Sequence, residues 1–66
     1  MSYDRHHRLP RSRSGSSRAY NISVVETHMH RAYHTLFHNM TPMEMAQFLN
    51  DTWIDPRQQF VVLPRR

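Results

Sequence analysis

The sequence predicts an α+β fold: a strand, a long loop, a second strand and a helix, followed by a second helix and a short C-terminal strand. Three observations carry this. A β-branched run, Ile22-Ser23-Val24-Val25, gives way to apolar residues at helical spacing. Thr41-Pro42-Met43-Glu44 then announces a second helix. Histidines stand at both ends of the first part of the chain, His6-His7 before the β-branched run and His30 and His34 after it.

The first strand is placed at residues 3–9 and the loop at 10–20. Read alone, Arg5, Arg8, Arg11, Arg13 and Arg18 among Ser12, Ser14, Ser16 and Ser17 resemble a disordered basic tail. The His6-His7 pair followed by Pro10 favours a strand that ends in a loop, with Gly15 supplying a positive φ. Residues 22–25 form the second strand. A helix over 26–39 follows, with Met29, Tyr33, Leu36, Phe37 and Met40 facing the core and Asn39 at its end. The second helix occupies 41–53: Thr41 caps it, Pro42 takes the first helical position and Glu44 closes a capping box. Met45, Ala46, Leu49 and Trp53 are its apolar positions, and Asp55-Pro56 turns the chain. The last strand, 58–63, includes Phe60-Val61-Val62-Leu63, with an extended segment that covers the core as the alternative. The whole is one domain, 1–66, with its first unit at 3–39.

Sixty-six residues with no cysteine exclude disulfides and thiolate zinc sites. A core this small gives modest stability, so a histidine-held metal, a homodimer or a larger assembly is expected to assist it. No apolar run is long enough to span a membrane and the N-terminus has no signal-peptide pattern, so a cytoplasmic protein is expected. The net charge is +4 and all nine basic residues are arginine, whose planar fork suits phosphate.

The histidine spacing gives these residues a chemical reading. From His7 it is 14 residues to Asn21, nine more to His30 and four more to His34. A step of four puts His30 and His34 on one helical face, where both can grip one metal ion. His6 on the neighbouring strand completes the set, and His7 is left to take a proton from water. An imidazole with an unperturbed pKa of about 6.5 suits that task at neutral pH. Three imidazoles favour Zn²⁺ or Ni²⁺ as ligands, with Mg²⁺ an alternative in activity.

Residues 4–34 resemble the HNH nucleases, most closely the colicin-type DNases. The matching stretches are Asp4-Arg5-His6-His7-x-x-Pro10, Ser14-Gly15, Asn21-Ile22-Ser23-Val24-Val25 and His30-x-x-x-His34. The resemblance implies a ββα-metal (His-Me finger) motif and metal-dependent hydrolysis of DNA phosphodiester bonds. It implies that His6, His30 and His34 are metal ligands, that His7 is the general base, that Asn21 ties the loop together and orients His7, and that Asp4 orients a histidine. Ser14-Gly15 departs from the paired glycines frequent in the family, which leaves the loop geometry less defined than the ligands. Arg5, Arg8, Arg11, Arg13 and Arg31 are the expected phosphate contacts. DNA is the expected substrate, with RNA the alternative. The competing reading is a non-cleaving HNH-like binding module or interaction subunit of a larger phage or restriction assembly.

Overall fold

The computed structural model describes residues 1–65. Two strands, β1 (Tyr3–His7) and β2 (Ile22–Glu26), form a two-stranded antiparallel sheet, and two helices follow, α1 (Thr27–Phe37) and α2 (Pro42–Thr52). The α+β class is therefore as expected. Tyr3 pairs with Glu26 and His7 with Ile22, so β2 runs straight from the sheet into α1.

β1 stops at His7, short of the expected residue 9. The backbone N–H groups of Arg8 and Leu9 leave the ladder for Asn21: Arg8 N donates to its carbonyl at 2.7 Å and Leu9 N to its side-chain Oδ1 at 2.8 Å. The loop then makes short helical turns at Arg11–Arg13 and Ala19–Asn21. The positive φ expected of Gly15 belongs instead to Ser14, at 75°. Gly15 is required for a different reason. A Cβ there would lie 1.8 Å from the Leu9 carbonyl oxygen and 2.8 Å from that of Pro10.

α1 begins one residue later than expected and ends two residues earlier. Glu26 is its N-cap and accepts from the backbone N–H groups of His28 and Met29. His38, with φ 50°, ends the helix in place of Asn39. The Thr41/Glu44 capping box forms with Pro42 in the first turn, and α2 stops at Thr52, one residue before the expected end at 53.

The C-terminal strand predicted over 58–63 is absent: the sheet contains β1 and β2 alone among the described residues. An edge strand needs a neighbouring ladder, and here a side chain takes its place. Asn50 on α2 accepts from Phe60 N at 2.8 Å and donates to Phe60 O at 3.0 Å. The segment lies irregular and exposed beside α2.

Packing is thin. Ala46 is the only buried apolar residue among the described residues, and no side chain among them is fully enclosed. Met29 and Trp53, expected in the core, are 68% and 62% exposed, and Leu36 is also exposed. What joins the helices is an aromatic series: Tyr33 and Phe37 have ring centroids 5.2 Å apart, and Phe37 and Phe48 6.1 Å. Beside it Leu36, Phe37, Phe48, Leu49 and Trp53 line an open hollow of about 250 Å³. No helix is long and apolar enough to cross a membrane among the described residues.

Candidate functional site

Alternate residues of a strand share a face, and on β1 Asp4 and His6 face α1. His6 Nδ1 lies 3.2 Å from His30 Nε2, and His34 Nε2 lies 2.9 Å from the same atom. One nitrogen from each of the three rings falls within 4.8 Å of the others. His30 and His34 meet because they are one helical turn apart. His6 reaches them because β2 carries α1 back across β1.

Asp4 sets the chemistry of this cluster. An ionised carboxylate can only accept, so the 2.9 Å contact between His30 Nδ1 and Asp4 Oδ2 puts a proton on His30 Nδ1. The Nε2 lone pair of His30 then points at His6 and His34. Thr27 Oγ1 donates to the other carboxylate oxygen at 3.3 Å. The His30 ring N–H, above all, holds the Asp4 carboxyl below its ordinary range, with Thr27 and the charge of Arg31 adding to the effect. Burial pushes His6 below the ordinary histidine range, and the neighbouring His30 and His34 push the same way. Ligand imidazoles must be neutral, so both effects favour ligation.

The donor set can be tested against an ion. Tetrahedral bonds of 2.0–2.1 Å put ligand nitrogens about 3.3 Å apart. The 2.9 and 3.2 Å contacts are close to that figure without rearrangement of the backbone. Asp4 behind His30 is the carboxylate–histidine pairing that orients metal-binding imidazoles. The three histidines therefore fit a divalent metal.

His7 stands outside this cluster and reaches the loop. Its Nε2 lies 3.1 Å from Ser17 Oγ. Because β1 ends here, His7 still lines the same cleft as the cluster. That cleft, of about 260 Å³, is walled by Arg5, His6, His7, Pro10, Arg11, His30 and His34.

Asn21, 5% exposed, sits beneath the loop. Its Nδ2 donates to Leu9 O at 3.0 Å and to Ser16 O at 2.6 Å, while its Oδ1 accepts from Leu9 N. It ties the loop together as expected, but it does not hydrogen-bond to the His7 ring, so any orientation of His7 passes through the loop.

The arginines divide. Arg5 and Arg11 line the cleft. Arg13 does not serve as a free phosphate contact: it pairs with Glu44 through two contacts, Nη1–Oε1 at 2.7 Å and Nη2–Oε2 at 3.2 Å. Its role is to fasten the loop to α2. Arg8 is exposed outside the cleft wall, and Arg31 lies on the Asp4 side of α1.

Sequence reasoning missed Ser17 and Thr27, which hold His7 and Asp4. It placed Tyr33 in the core, where it also forms a wall of the histidine cluster, its ring 4.7 Å from that of His6 and 5.3 Å from that of His34. A hydroxyl ten residues from its histidine carries no local signal.

Comparison with family models, curated proteins and solved structures finds no match to this chain.

Proposed function

We propose that the chain is a metal-dependent endonuclease of the HNH type that hydrolyses DNA phosphodiester bonds, with a ββα-metal centre formed by β1, β2 and α1. One observation carries the reading: three histidine nitrogens converge on one point, and the same cleft presents a fourth imidazole outside the ligand set together with two arginines.

His6, His30 and His34 would hold the ion. When bound, a divalent cation supplies positive charge beside the phosphate and at the departing oxygen. Arg5 and Arg11 bind non-bridging phosphate oxygens at the cleft mouth. His7 takes a proton from water as the water oxygen bonds to phosphorus. The bond to the leaving oxygen breaks, its electron pair stays on that oxygen, and solvent supplies the proton. Asp4 keeps His30 in the ligating tautomer throughout.

The test joins melting curves to cleavage of supercoiled plasmid and of RNA. Zinc or nickel should raise the melting temperature of the parent, by about 2.7 kcal/mol of added stability at a hundredfold excess over Kd. His34→Ala should lose most of that rise. His7→Ala should keep the rise while cleavage falls by about two to four orders of magnitude. Equal metal stabilisation of parent and His34→Ala would refute the assigned site. A parent that cleaves RNA and not DNA would change the substrate.

A second reading has an observation in its favour. The hollow around Trp53 and the exposed Phe60–Leu63 segment are apolar, as expected of a non-cleaving interaction subunit in a larger assembly. A parent inactive with every metal, recovered in a complex of larger native mass, would establish it.

A further inference from the structure

The candidate base has one restraint. Among the described residues the ring of His7 makes a single hydrogen bond, between Nε2 and Ser17 Oγ at 3.1 Å. The ring is only half-buried and stacks on none of the other aromatic side chains, whereas His6, His30 and His34 are wedged against one another and Tyr33. Which nitrogen of His7 carries its proton therefore depends on this contact.

We propose that Ser17 is the positioning residue for His7: its hydroxyl oxygen accepts the Nε2–H and leaves the lone pair of Nδ1 to take the proton from water. The proposal rests on the reading of His7 as the general base. In the opposite tautomer Nδ1 is protonated, and the one free lone pair, on Nε2, is covered by the Ser17 hydroxyl. That ring cannot accept a proton from water without breaking the contact. The Nε2–H tautomer keeps the hydrogen bond and the basic nitrogen together.

The loop is built to present this oxygen. Asn21 Nδ2 holds the carbonyl of Ser16, the residue before Ser17, at 2.6 Å, and Arg18 N, on the residue after it, donates to Ser16 Oγ at 3.4 Å. Ser17 itself is exposed, so burial does not oblige its hydroxyl to find a protein partner. Asn21 thus acts on His7 through two links, Ser16 and Ser17.

The experiment compares parent, Ser17→Ala, Ser17→Thr and His7→Ala in zinc-dependent plasmid cleavage and in long-range ¹H–¹⁵N spectra, recorded where the imidazole is neutral. The parent should show His7 protonated on Nε2, and Ser17→Ala a mixture of tautomers. Ser17→Ala should lower kcat about 10- to 100-fold, the range found when an outer partner that orients a ring is removed. KM and the zinc-induced rise in melting temperature should stay at parental values, and Ser17→Thr should restore kcat. A parental His7 protonated on Nδ1 overturns the proposal, as does a Ser17→Ala variant that cleaves at the parental rate while His7→Ala does not. If parent and His7→Ala cleave alike, the base assignment has failed, and the nitrogen spectra still decide whether Ser17 sets the tautomer.

Discussion

Gly15→Ala adds a single methyl group where the loop has no room for one, and its effect can be worked from the loop geometry. The added Cβ would stand 1.8 Å from the Leu9 carbonyl oxygen, and ordinary contact begins at 3.4 Å, so about 1.6 Å of displacement is needed. The three obstructing atoms, Leu9 O, Leu9 C and Pro10 O, are all backbone and cannot swing aside. Leu9 O accepts from Asn21 Nδ2, and Pro10 O accepts from the N–H groups of Arg13 and Gly15. Moving Leu9 O breaks or stretches its hydrogen bond from the buried Asn21 amide, and moving Pro10 O those from the two backbone N–H groups, at a cost of about 1–3 kcal/mol for each buried group left unsatisfied. In a domain this small the melting temperature should fall by about 5–20 °C. The displaced segment also carries Ser17, and a shift of about 1 Å at a positioned group can lower the rate by about a hundredfold. Ser14→Gly is the control. Ser14 holds the positive φ of 75°, so glycine there relieves backbone strain and should leave the melting temperature unchanged or raise it. Circular dichroism melts and plasmid nicking on the two variants decide the matter. A Gly15→Ala protein that melts with the parent, or a Ser14→Gly protein that melts below it, would refute the loop geometry.

Thr41→Ala removes the cap of α2 and should cost about 1 kcal/mol, seen as about 4–8 °C in a thermal melt. Glu44 is held below its ordinary value of 4.5 by the Thr41 backbone N–H first and by Arg13 next. A carboxyl lowered in the folded state adds stability above its unfolded value and loses it as pH falls through the folded one, so Glu44→Gln should flatten the decline of melting temperature below about pH 4.5. Arg5→Ala with Arg11→Ala should reduce the log–log salt slope of duplex DNA binding by roughly 0.9 for each phosphate that is no longer neutralised. Arg13→Ala should lower the melting temperature instead and leave that slope unchanged, as fluorescence anisotropy titrations at several salt concentrations would show.

The features legible in the sequence are those whose cause is local. Thr41, Pro42 and Glu44 state the start of α2 within four residues, and the structure places it there. The four-residue step from His30 to His34 and the β-branched run before it are enough to bring two imidazoles to one face. His6 comes into register because β2 leads straight into α1. What was not legible depends on partners distant in sequence. Arg13 reads as a phosphate contact until Glu44, 31 residues on, takes it. Gly15 reads as a source of positive φ until the path of Leu9 shows that the space, not the dihedral, is what a side chain would violate. Phe60-Val61-Val62-Leu63 has strand composition, but composition supplies no ladder, and the neighbouring element is a helix presenting Asn50. Met29, Leu36 and Trp53 have helical core spacing, yet two strands and two helices provide too little surface to cover them.

The two halves of the cleft are held by different means, and this bears on how the chain tolerates change. The half that carries His6, His30 and His34 is made by β1 meeting α1: Asp4 and Thr27 fix His30, and the ring stacking of Tyr33 supports His6 and His34. The half that carries His7 is braced from three directions. Asn21 grips the loop from the start of β2, Glu44 holds it from α2 through Arg13, and Asn39 donates to Ser12 from the turn between the helices. α2 contributes no residue to the cleft wall, so its effect on His7 must act through that loop. Changes in α2 and the loop should therefore lower turnover before they lower metal affinity, whereas changes at Asp4 or Thr27 should lower metal affinity first. With Ala46 the only buried apolar residue among those described, hydrogen bonds hold much of what a larger core would hold.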